Sequence, residues 1–182
     1  MTAFLDKKNI LFVMALVLLL SSIGSVSATA VSPSPEMDKE YQDLVEVFSA
    51  IEALPDSVIA EGDQAVVDWL KENSNIPVQQ KGEFVTLGVV GCVSAVGLAI
   101  ASNLIPIAKV AKIKSAIKAA GGATKFVKAL IPAYKAARRM GKSKYNSVKA
   151  AVSKAAKKAS PEAKRALIDL FNLGSVYSSC FE

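Results

Sequence analysis

Residues 84–108 read FVTLGVVGCVSAVGLAIASNLIPIA, 25 positions without a single charged side chain. Two readings of this run lead to different proteins. As one unbroken helix it is long enough to cross a hydrocarbon core of about 30 Å. Gly88, Gly91, Gly97 and Ala101 would then supply the smooth side that close helix contacts in lipid favour. As a buried core helix it would instead break at Pro106 and be held in place by Cys92. Asn103 and the interspersed serines dilute its hydrophobicity, which keeps that second reading alive. The sequence leaves both open.

The charge on either side of this run is sharply divided. Residues 30–87 carry 12 acids against 3 lysines, a net charge of −9, whereas residues 88–182 carry 17 cations against 3 acids, a net charge of +14. The whole-chain value of +6 conceals the division. Charge asymmetry between halves points to a membrane or nucleic-acid surface as the target.

At the N-terminus, Lys7 and Lys8 precede an apolar run over residues 10–20, and Val26-Ser27-Ala28 supplies small residues for cleavage. Residues 1–28 therefore read as a signal peptide cut after Ala28, with an uncleaved anchor as the alternative. The expected location is extracellular. In an oxidising compartment the only two cysteines, Cys92 and Cys180, are expected to form one disulfide. On the chain-entropy account, closing so long a loop stabilises by about 4–5 kcal/mol. Two unrelated thiols are the plainer alternative.

The periodicity predicts an all-α fold: an acidic N-terminal helical hairpin, then a cationic multi-helix domain closed by one disulfide. In the acidic region, residues 29–72 (a candidate pro-segment), Ser34-Pro35 starts a helix with Tyr41, Leu44, Val45, Phe48 and Ile51 on one side. Leu54-Pro55 ends it. A short stretch over residues 56–61 stops at Gly62, and residues 64–72 follow, with Val66, Val67, Trp69 and Leu70 on the buried side. Residues 73–83 read as a linker.

The cationic domain, residues 84–182, continues past the apolar segment with four basic helical stretches. Residues 107–120 end at Gly121-Gly122. Residues 124–140 carry Pro132, expected to kink the helix. Residues 143–159 place Tyr145, Val148 and Val152 on an apolar side, and Ser160-Pro161-Glu162 caps a last helix that Gly174 stops. The tail SVYSSCFE then returns Cys180 toward Cys92.

No histidine occurs anywhere in the chain, which removes His-based triads, His zinc sites and imidazole acid–base catalysis. The glycines of GVVGCVSAVG lack the lysine of a P-loop and lie in apolar surroundings. No enzymatic activity is expected, and no catalytic, cofactor-binding or metal-ligating residue is assigned. What remains is physical chemistry at a surface. Each cation near an anionic leaflet contributes about 1 kcal/mol to adsorption, and apolar helix sides hold such helices in the interface. The candidate membrane contacts are Lys109, Lys112, Lys114, Lys118, Lys125, Lys128, Lys135, Arg138 and Arg139. A solvated basic surface is the competing account of the same lysines.

With its leader ending VSA, the acidic lead-in EVFSAIEALPDSVIAEGDQAVVDWL and the cationic IPIAKVAKIKSAIKAAGGATKFVKAL before the closing Cys180, the chain resembles the large, unmodified, Sec-exported bacteriocins of Gram-positive bacteria, of the streptococcin type. It lacks the double-glycine leader and YGNGV-like segment of the small bacteriocins. The resemblance implies a secreted antibacterial protein that damages the envelope of related bacteria by permeabilising anionic membranes, with an immunity protein in the producer and an oligomer on the membrane as further implications. It assigns no individual residue.

Two other functions compete. A single-pass membrane protein would use residues 84–108 as a stop-transfer helix and keep Lys109, Lys112, Lys114 and Lys118 inside; Cys92 and Cys180 could not pair in that topology. A nucleic-acid binder is suggested by AAVSKAAKKASPEAKRA, which resembles linker-histone tails in composition. The export signal, the few arginines and the lack of interleaved aromatics argue against specific nucleic-acid recognition.

Overall fold

Asn103 and Pro106 cut the uncharged run short. The computed structural model describes residues 35–76 and 91–182. The signal peptide, the remainder of the linker and residues 84–90 of the apolar run lie outside the described residues. In what is described of that run, a helix spans only Cys92–Ala101, about 15 Å at 1.5 Å per residue. Asn103 then takes a left-handed conformation, with φ of 58°, and Pro106 starts the next helix. Among the described residues no helix is long and apolar enough to cross a membrane. Cys92, Ala95, Val96, Gly97, Ala99 and Ile100 are buried, as the core-helix reading requires.

All the regular structure among the described residues is helical. In chain order these helices are α1 (Pro35–Ala53), α2 (Asp56–Glu61), α3 (Asp63–Asn73), α4 (Cys92–Ala101), α5 (Ile107–Ala120), α6 (Ala123–Arg139), α7 (Lys144–Ala155), α8 (Pro161–Phe171) and α9 (Gly174–Phe181). The boundaries follow local chemistry. Gly121 adopts the left-handed conformation at φ 90°, and the Gly122 N–H bonds back to the Ile117 carbonyl at 3.1 Å, the Schellman closure that satisfies the last carbonyls of α5. Ser160 Oγ accepts the N–H of Ala163 at 3.2 Å, with Pro161 in the first turn of α8, where its missing N–H costs nothing.

Pro132 is exposed within α6, which continues through it as one helix. Lys128, whose carbonyl Pro132 leaves without a donor, is itself exposed. Gly174, expected to end a helix, instead opens α9. The tail that carries Cys180 is therefore helical, with the Tyr177 N–H bonded to the Leu173 carbonyl at 2.7 Å. Tyr145, expected on the buried side of α7, is 53% exposed. Ile76, expected in the linker, is buried.

The acidic helix α1 packs against α4, α5 and α6, and residues Ser34–Glu182 form one compact unit. Leu44, Val47, Phe48 and Ile51 are fully buried or nearly so. The Phe48 ring meets Phe126 at 5.0 Å and Phe171 at 5.7 Å between centroids, both edge-on, the arrangement that aromatic quadrupoles favour. The apolar stripe of the acidic region thus belongs to the same core as the cationic helices. The Cys92–Cys180 disulfide joins α4 to α9 across 88 residues, and both cysteines are buried.

Candidate functional site

A salt bridge and two helix caps draw part of the acidic region onto the cationic helices. Glu52, near the end of α1, accepts the backbone N–H of Ala123 at 2.8 Å. Asp63, first residue of α3, accepts the N–H of Ile107 at 3.2 Å. These two donors open α6 and α5, where unsatisfied N–H groups and the positive end of the helix dipole attract a carboxylate. The third contact is Lys114, whose ammonium donates to the Leu54 carbonyl and to the Asp56 carboxylate. Tyr41 adds a hydroxyl donation to the Thr124 carbonyl at 3.4 Å. Three acids of the negative block thus hold specific donors in the positive block.

This arrangement corrects one expected membrane contact. Lys114 is 5% exposed and points into the junction of α5 with the segment after α1. Its hydrogen bonds explain why a lysine can be buried there, since an ammonium survives burial only when paired and bonded. The signal lay in its register, because Val110, Ile113, Lys114 and Ile117 fall on one face of a helix. The Lys114 ammonium also holds the Asp56 carboxyl below its ordinary range, first through the hydrogen bond and then through its charge, with a smaller contribution from Lys118.

The other expected contacts fall into groups. Lys109 is half-buried and bonds Asp169 at 2.7 Å, tying α5 to α8. Beside that pair, Lys112, Glu162 and Arg165 line a cleft between the two helices. Glu162 is held below the usual carboxylate range by its own backbone N–H and the Ser160 hydroxyl. Two carboxylates thus offset the cations of this cleft. Lys118, Lys125, Lys128 and Arg139 are exposed and Lys135 is half-buried. Lys125, Lys128, Lys135 and Arg139 recur at i, i+3, i+10 and i+14 and so share one side of α6. Arg138 donates from Nη1 to the Lys142 carbonyl at 2.8 Å.

The helix α6 is therefore polarised end to end. Glu52 sits at its first N–H, and Arg138 and Arg139 occupy its last turn, about 25 Å away along the axis. Both ends agree with the sign of the helix macrodipole. The apolar sides of the amphipathic helices point inward: Phe126, Val127, Leu130, Val148, Leu167 and Phe171 are all fully buried. Among the described residues only Leu104, Met140 and Tyr145 are large hydrophobics left exposed.

No protein family, no curated protein and no solved structure matches this chain.

Proposed function

We propose that the chain is an exported cationic antibacterial protein that adsorbs to anionic bacterial membranes and permeabilises them. The observation that carries this reading is the polarity of α6, with acid bound at its N-terminal end and exposed cations along one side and at its C-terminal end. A body so polarised has an orientation at a negatively charged surface: the C-terminal end of α6 faces the lipid and the acid-bound end faces away. Long-range attraction then concentrates the protein at the leaflet, an effect that salt screens.

Adsorption needs no change of fold, but insertion does. Among the described residues the apolar helix sides are packed into the core and only Leu104, Met140 and Tyr145 are large hydrophobics left exposed, so deep insertion requires helices to separate. The junction between the acidic and cationic regions offers such an opening, since Glu52, Asp56 and Asp63 hold it through polar contacts that charged headgroups can compete for. In this reading the acidic region keeps the cationic helices closed until they meet a membrane, and an immunity protein protects the producer.

The purified mature protein, without residues 1–28, tests the proposal. Dye-loaded vesicles containing phosphatidylglycerol should leak at protein concentrations that leave phosphatidylcholine vesicles intact, and the leakage should weaken as salt rises. Anionic vesicles that stay sealed at every protein concentration would remove the reading.

A further inference from the structure

The turn between α6 and α7 brings exposed hydrophobic and cationic side chains together. Of the three large hydrophobics exposed among the described residues, Met140 at 68% and Tyr145 at 53% flank this turn. Residues 138–145, RRMGKSKY, carry four cations and no acid.

The turn has a defined shape. Gly141 takes φ of 74°, a left-handed value that glycine adopts without steric cost. Its N–H bonds the Arg138 carbonyl at 3.0 Å, and the Lys142 N–H bonds the Ala137 carbonyl at 3.2 Å. Ser143 then caps α7 by accepting the Asn146 N–H at 3.3 Å. These bonds fix where the flanking side chains emerge.

A plainer account of cations at a helix C-terminus is that they satisfy carbonyls and the dipole. Two of the four also have side-chain partners. Arg138 bonds the Lys142 carbonyl. Lys144 pairs with the Glu182 carboxylate and stands 4.8 Å from the Tyr177 ring centroid. The Arg139 charge also suits the helix dipole, but the Arg139 and Lys142 side chains are both exposed, and the backbone bonds that close the turn use neither side chain. Met140 and Tyr145 are likewise more than half exposed.

We infer that this turn is the docking tip for an anionic bilayer. Arg139 and Lys142 meet headgroup phosphates, and Met140 and Tyr145 enter the boundary between headgroups and acyl chains, where a tyrosine keeps its hydroxyl wet and buries its ring. The inference rests on the membrane reading above and assigns the residues that make first contact. Charge complementarity selects the lipid, and the paired exposed hydrophobics separate it from a soluble polyanion, which has no use for them.

The experiment compares mature wild type, without residues 1–28, with two double variants, Arg139→Gln with Lys142→Gln, and Met140→Ser with Tyr145→Ser, by co-sedimentation with vesicles of phosphatidylglycerol and phosphatidylcholine. All four side chains are exposed, so an unchanged Tm is expected and is checked first. Removing the two cations should lower the partition coefficient about 25-fold at low salt, about five-fold for each. Removing the two hydrophobics should spare low-salt adsorption and lower retention at high salt about ten-fold or more. In a separate Trp69→Phe background, Tyr145→Trp should shift its emission to the blue on vesicles and be quenched by brominated lipid.

Partitioning by both double variants equal to wild type would overturn the inference while leaving membrane binding intact. Wild type that ignores anionic vesicles would overturn the membrane reading and the tip together. Binding of soluble polyphosphate, lost in the glutamine pair, combined with wild-type vesicle retention by the serine pair would make the turn a polyanion site and overturn lipid docking.

Discussion

The Glu52 carboxylate accepts the backbone N–H of Ala123 at 2.8 Å, so the first turn of a cationic helix is capped by an acid 71 residues earlier in the chain. The contact fixes where α1 lies on α6. Glu52→Ala should lower stability by about 1 kcal/mol, the usual effect of losing a helix cap, and Tm by about 3 °C for a domain of this size. Glu52→Gln keeps an oxygen acceptor and should lose less. Thermal unfolding followed by circular dichroism checks the order, and equal losses for the two variants would mean that charge rather than the hydrogen bond matters.

Lys114 couples the same two regions from the other side. Lys114→Met keeps most of the aliphatic stem but strips the Leu54 carbonyl of its charged donor, and should cost about 1–3 kcal/mol. Denaturant unfolding at neutral pH measures it.

Asp56 gives that junction a pH dependence. Its carboxyl is held below the ordinary value of 3.8, chiefly by the hydrogen bond from Lys114. A depressed folded-state pKa means that its contribution is complete above the unfolded value and is lost as pH falls through the folded one. Asp56→Asn should therefore reduce stability at neutral pH and flatten the acid limb of a stability–pH curve. A variant with the same acid limb as wild type would show that other carboxylates govern it.

At the opposite extreme of pH, Tyr134 is the sensitive group. Its ring is 5% exposed, and its hydroxyl meets that of Tyr177. Burial, aided by that hydrogen bond, pushes its pKa well above the ordinary 10.0. The sign is opposite to that of Asp56: the contribution is full below pH 10 and is lost as pH rises toward the folded value. Tyr134→Phe should flatten the alkaline limb of a stability–pH curve, and the difference in 295 nm absorbance between wild type and this variant should show a tyrosine that ionises above the ordinary range.

The disulfide should be slow to respond to reductant. Cys92 and Cys180 are 2% and 1% exposed, so thiolate attack must wait for local opening. Cys92→Ser with Cys180→Ser should cost up to about 4–5 kcal/mol on the chain-entropy account. Alkylation followed by intact mass should find no labelled thiols after mild reduction of the folded protein, and two after reduction in denaturant.

Much of this architecture was legible because local chemistry marks helix ends. Gly121-Gly122 and Ser160-Pro161 identified their boundaries within a residue, since a left-handed glycine and a side-chain cap act on adjacent backbone. Gly174 misled because glycine also fits a helix start, and the bonds that place it come from the Leu173–Tyr177 turn. The register of Lys114 placed it on the apolar face of α5, but its partners, Leu54 and Asp56, lie about 60 residues away, and periodicity carries no information about such pairings. The same holds for Glu52 and Asp63, whose caps join segments that charge alone presents as opposed blocks. Met140 and Tyr145 were hidden among other apolar residues at helical spacing, and only the folded turn separates them from the core.

The bond between α4 and α9 makes a covalent ring of everything from Cys92 to Cys180. A peptide bond cut once in any loop within that ring leaves a single molecule, with new ends held beside each other by the helices they join. Where proteases abound, one nick would neither shed a fragment nor change the mass on a non-reducing gel. The helices α5–α8 would stay assembled, and only a second cut or a reductant would take the body apart.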